Sequence, residues 1–115
     1  MADTKALVEN YKTEMRRGVL VMAVLSQLYK PAYGYDLVKT LSEKDLPIEG
    51  NTIYPLLRRL EAQGLLSSDW NTDTAKPRKF YTITAQGKKL HTSMKDYWYR
   101  SIANVHDLLE NQNGK

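Results

Sequence analysis

A chain of 115 residues, 42% hydrophobic and 26% charged, has room for one domain with a core of its own. It has no cysteine, which removes disulfides, thiolate metal sites and cysteine nucleophiles, and its longest apolar run, Val19 to Leu25, is far shorter than the roughly 20 residues that cross a bilayer. The net charge of +4 is unevenly placed: residues 1–50 carry seven basic and seven acidic side chains and residues 90–115 three of each, whereas residues 51–89 carry seven basic against three acidic. A local basic field of this kind suits a phosphate-backbone partner, although a randomly basic stretch of surface would look the same. The start of the chain shows no charged-then-apolar signal pattern, so a soluble, cytoplasmic protein without membrane contact is expected.

Leu7, Val8, Tyr11 and Met15 recur at helical spacing and lead into Val19 to Leu25 and Leu28. The spacing predicts a helix from about residue 5 or 12 to Tyr29, with a bend or close contact at Gly18 and a stop at Lys30-Pro31. Tyr33-Gly34-Tyr35 follows, and Leu37, Val38 and Leu41 mark a short second helix to about Glu43. Pro47 and Gly50 punctuate the connection. A third helix is predicted to start near Asn51-Thr52, both good capping residues, with Pro55 in its first turn. Ile53, Leu56, Leu57 and Leu60 form its buried stripe, and Gly64 ends it.

The period then changes. Leu65 to Trp70 reads as a strand, Asn71 to Pro77 as a turn, and Arg78 to Thr84, rich in aromatic and β-branched residues, as a second strand. Thr84 caps a last helix that runs from Ala85 to about Gln112, with Asn111 to Lys115 expected to fray. At 1.5 Å per residue it is about 40 Å long and overhangs a domain about 30 Å across. The overhang would leave Trp98, Ile102, Val105 and Leu109 wet, and the simplest cover is the same helix of a second copy.

Three helices, a hairpin and a long helix make a mainly α chain with a small β-hairpin, on the plan of a winged helix-turn-helix plus a C-terminal dimerisation helix. The expected division is residues 1–84 for the winged helix, its first helix contributing to the dimer, and 85–115 for the dimerisation helix. In this plan the third helix enters the major groove and the wing touches the adjacent backbone. The buried stripe leaves Asn51, Thr52, Tyr54, Pro55, Arg58 and Arg59 outward, and Tyr54 and Arg58 share a face. Asn, Thr, Tyr and Arg are the donors that read bases and hold phosphates. Arg59 has a rival role in an ion pair with Glu61 or Glu43, and Tyr54 in packing on the second helix. Lys76, Arg78 and Lys79 surround Pro77 at the wing tip, where phosphate contact is expected; Lys88 and Lys89 read as plain helix surface.

The chain resembles the PadR family of transcriptional regulators, in its short form with one C-terminal helix. The resemblance rests on Tyr33-Gly34-Tyr35, on Asn51-Thr52-Ile53-Tyr54-Pro55-Leu56-Leu57-Arg58-Arg59-Leu60-Glu61, on Gly64-Leu65-Leu66, and on Pro77 to Thr84 with Gly87. It covers about residues 15–110. It implies a homodimer on a pseudo-palindromic operator of double-stranded DNA, usually acting as a repressor, with Tyr33 and Tyr35 contacting the DNA backbone. It also implies a planar aromatic effector held at the dimer centre, for which Trp98 is the candidate; packing of the dimer core is the other reading of Trp98. The stretch after Trp98 is about one helical turn longer than in drug-binding members, so no further pore residue carries over.

An enzyme is not expected, nor a cofactor or metal. His91 and His106 stand fifteen residues apart on one helix, and no catalytic grouping or phosphate loop is visible. The alternative is a winged helix that binds only protein, against which the basic stretch at residues 51–89 argues.

Overall fold

The computed structural model describes residues 3–73 and 75–111. The element order is α1 (Thr4–Ser26), β1 (Ala32–Tyr33), α2 (Gly34–Glu43), α3 (Gly50–Ala62), β2 (Leu66–Asn71), β3 (Arg78–Ile83) and α4 (Ala85–Glu110). Asp3 caps α1 by accepting the Lys5 N–H. The helix passes Gly18 unbroken, and no atom stands close enough to meet a side chain there, so neither a bend nor a close contact explains that glycine. Helix α1 also ends three residues before Tyr29. The Leu28 carbonyl is taken by the Ile83 N–H at 2.7 Å, so the chain leaves the helix to join the sheet while the Leu28 side chain stays buried.

The expected hairpin is present, with β2 and β3 antiparallel and Trp70 opposite Lys79. A third strand adds to it: β1 pairs with the other edge of β3, in the order β1-β3-β2. Helix α3 starts one residue before Asn51, with Glu49 in the capping position and no side-chain cap, so Asn51 and Thr52 lie in the first turn. Pro55 then falls in the second turn, not the first. Its missing N–H leaves the Asn51 carbonyl without its intrahelical partner, on an exposed face. The far end of α3 closes as expected. Gly64 has φ +80°, and the Gly64 and Leu65 N–H groups bond back to Glu61 and Leu60. This is a Schellman closure, which only a residue free to adopt positive φ makes without strain.

The core joins Val24, Leu25 and Leu28 of the α1 segment to Leu37, Ile53, Leu57 and Leu60, and to Leu66, Tyr81 and Ile83 of the sheet. Full burial of each such side chain contributes about 1.5–3 kcal/mol. Leu56, expected in the buried stripe, is only partly buried at its edge. Thr84 fastens α4 to this core: its hydroxyl accepts the Gly87 N–H and donates to the Gly64 carbonyl at 2.7 Å. Further along, His91 is buried with Nδ1 2.9 Å from the Tyr29 hydroxyl.

Beyond these anchors α1 and α4 run free of the core. The radius of gyration is 17.4 Å, against about 13 Å for a compact domain of this length. Leu7, Tyr11 and Met15 of α1 are exposed, as are Ile102, Val105 and Leu109 of α4. No helix among the described residues is long and apolar enough to cross a membrane. Asn111 caps α4, and the rest of the segment expected to fray lies outside the described residues, as does Thr74 of the wing turn.

Candidate nucleic-acid interface

Helix α3 buries Ile53, Leu57 and Leu60 and therefore turns Asn51, Thr52, Pro55, Arg58 and Arg59 to the surface. Asn51 and Thr52 are linked side chain to side chain at 3.4 Å. Neither ion pair open to Arg59 forms; Glu61 turns to the wing instead, accepting the Ser68 hydroxyl and pairing with Lys79 Nζ at 3.5 Å. Arg58, Arg59 and Arg78 have no ion-pair partner among the described residues. Arg59 instead borders a groove that also takes in Asn51, Thr52 and Arg17 of α1.

Tyr54 adopts its alternative role in part. Its ring lies on the start of α2, where a Cβ on Gly34 would overlap Tyr54 Cε1. Glycine permits this close approach, and a side chain there would push the ring outward. Yet 41% of Tyr54 stays exposed, because it forms one wall of a cleft of about 290 Å³ shared with Tyr33, Tyr35, Arg78 and Lys79. Helix α3, the N-terminus of α2 and the wing thus meet at one place.

Tyr33 holds that meeting point together. Its N–H donates to Asp36 Oδ2 at 3.2 Å, fixing the first turn of α2. Its hydroxyl accepts from Asn71 Nδ2 at 2.7 Å, which ties the wing to α2. The Arg78 guanidinium stacks on its ring at 3.8 Å, and Phe80 meets the ring edge-on at 6.2 Å. The hydroxyl proton is still available to a ligand. Asn71 was not among the residues singled out from the sequence, and no local pattern marks it: its partner is 38 residues away.

The cations of the wing are therefore not equivalent. Arg78 is exposed and held flat, Lys76 is exposed near the tip, and Lys79 is half-buried and neutralised by Glu61. Lys88 sits 5.5 Å from the Tyr29 ring, on the surface of α4. Trp98 lies well away from this cluster, on α4, half-buried and edge-on to Tyr99 at 5.3 Å.

Comparison with known proteins places this arrangement. Residues 21–93 match the model of the transcriptional regulator PadR-like family. A PadR family transcriptional regulator from Eggerthella lenta is 48% identical, with 93% of this chain and 96% of that one covered and a TM-score of 0.86. A PadR-like transcription factor from Bacteroides fragilis is 35% identical, covering 86% and 98%, with a TM-score of 0.74. A PadR-like transcriptional regulator from Bacillus cereus is 28% identical, covering 89% and 99%, with a TM-score of 0.73. No curated protein matches the chain.

Proposed function

The chain belongs to the PadR-like family of transcriptional regulators, and from that premise we propose that it works as a homodimeric repressor that reads a pseudo-palindromic operator. It is a DNA-binding regulator and not an enzyme. The observation that carries the finer reading is the convergence of α3, the α2 N-terminus and the wing around Tyr33, Tyr54 and Arg78. With α3 in the major groove, Asn51, Thr52 and Arg58 reach base edges or their flanking phosphates. Tyr33, Tyr35 and Tyr54 hold the backbone beside the α2 N-terminus. Arg78 and Lys76 hold the next phosphates, and Lys79 adds to them when Glu61 releases it. Residues 1–84 form the DNA-binding unit and residues 85–115 the dimerisation helix, in a protein of the cytoplasm.

The test is salt dependence. A dimer that engages about 6–10 phosphates should lose roughly 10³–10⁵ in affinity between 50 and 200 mM salt. A flat response in a mobility-shift titration would remove the electrostatic basis of the reading and favour a protein-binding module.

Regulation by a planar aromatic molecule at Trp98 is part of the same proposal. Two copies of this tryptophan near a two-fold axis would hold such a ligand by stacking. The ligand changes DNA affinity only if it binds two spacings of the recognition helices unequally. In a Trp70→Phe protein, planar cations or phenolics should quench Trp98 emission and shift operator affinity together. Emission that no such ligand perturbs in the intact dimer would leave Trp98 as a packing residue.

A further inference from the structure

The wing carries one large aromatic side chain that the interface above does not use. Trp70 stands on β2 with 57% of its surface exposed. It shares a face of the sheet with Ser68 and with its cross-strand partner Lys79. That face is the one turned to α3, because Glu61 of α3 holds both Ser68 and Lys79. Trp70 lies two residues nearer the wing tip than Ser68, about 7 Å further along the strand. It therefore stands at the open end of the notch between α3 and the wing. Its ring has no aromatic neighbour and its Nε1–H no acceptor among the described residues. Its backbone is well held, with the N–H donating to Asp69 Oδ1 at 2.8 Å.

We propose that Trp70 is a DNA-positioning residue whose indole lies against the sugar–phosphate strand that passes between α3 and the wing. The proposal rests on the DNA-binding reading given above and extends it to a residue outside that set. When a recognition helix fills a major groove and a wing reaches the adjacent backbone, the strand bounding the groove must cross the notch between them. An indole suits that place: it is rigid, its ring face packs on deoxyribose, and Nε1–H donates to a phosphate oxygen. Charge selects the occupant. The facing strand carries Lys79, whose charge is matched by Glu61, and Arg78, which has no ion-pair partner among the described residues; the open charge of Arg78 attracts a nucleic-acid strand and disfavours a second copy of the same wing. The apolar stripes of α1 and α4 carry no such basic excess and lie on other elements.

The chain has two tryptophans, so full-length Trp98→Phe leaves Trp70 as the sole tryptophan. A short random-sequence duplex at low salt is titrated in, with binding followed by anisotropy of an end label and contact by tryptophan emission. Emission should change along the binding curve, and acrylamide should reach Trp70 less well in the complex. Trp70→Ala should weaken binding by roughly 10- to 150-fold, the loss expected for one hydrogen bond to a charged oxygen. The loss should be equal on operator and random DNA, because the contact is to the backbone. If Trp98→Phe does not fold, the difference between the unaltered chain and Trp70→Phe isolates the same signal. Unchanged emission at saturating duplex overturns the role of Trp70 and leaves the DNA-binding reading standing. Emission that responds to protein dilution but not to DNA assigns the indole to a second copy and overturns it too. No anisotropy change at low salt up to about 100 µM protein, the weak limit of non-specific binding at physiological salt, overturns the DNA-binding reading itself.

Discussion

Arg78 and Lys79 are adjacent in the chain, but the pleat sends them to opposite faces of the sheet and to opposite fates. Arg78 lies on the Tyr33 ring with its guanidinium N–H groups open to a ligand. Lys79 spends its charge on Glu61. The pair is partly exposed, so its own contribution to stability is small, but it removes one cation from the field seen by DNA. Arg78→Ala should therefore reduce the slope of log affinity against log salt by about two units, one for each wing of the dimer, equally on operator and random DNA. Glu61→Gln should do the reverse: it keeps an acceptor for Ser68, frees Lys79, and should tighten binding with a steeper slope. Fluorescence anisotropy at several salt concentrations measures both, and a Glu61→Gln slope equal to that of the unaltered chain would show that Lys79 is not held in reserve. At the same scale, Gly34 explains how Tyr54 serves two roles, since the missing side chain lets the ring rest on α2 while its hydroxyl edge stays wet.

Among the elements, α4 is anchored in part by a titratable group whose pKa the fold shifts. His91 is buried against Tyr29, and its pKa is lowered by that burial and, secondarily, by Lys95. The folded state thus prefers the neutral imidazole. Its contribution to stability is complete above the unfolded value of about 6.5 and is lost as the pH falls from there through the lowered folded value. Thermal unfolding should accordingly show a midpoint that drops on going from pH 7.5 to pH 5, and His91→Gln should flatten that drop. An unchanged pH profile in the variant would place the sensitivity elsewhere. In α3, Pro55 costs one backbone bond yet is accommodated at an exposed turn, because the orphaned Asn51 carbonyl faces water or a ligand rather than the core.

The whole molecule is longer than its core requires, 62 Å in its greatest extent, because α1 and α4 carry apolar stripes past the last residues they bury. Leu109→Glu, placed where α4 makes no core contact, should leave the winged domain folded but give a monomer by sedimentation, with operator affinity reduced far more than affinity for a single half-site. A dimer that persists in that variant would move the interface off the α4 stripe. Sequence alone was enough for the helices, for the Thr84 cap and the Gly64 closure, for three of the four residues expected in the buried stripe of α3, and for the basic excess over residues 51–89. Those are local properties: a period of 3.6 or 2, or a capping side chain three residues from its N–H, is written within a few positions of itself. Tertiary structure decided the rest. Ala32 and Tyr33 become a strand only because β3 offers them a free edge, and α1 ends early only because β3 takes the Leu28 carbonyl. Tyr33 finds Asn71 38 residues away, and Glu61 chooses Lys79 over Arg59. Each of these pairings joins groups that the chain brings together only on closing its core, so composition could count the cations of the wing while the fold alone determined which of them is left for DNA.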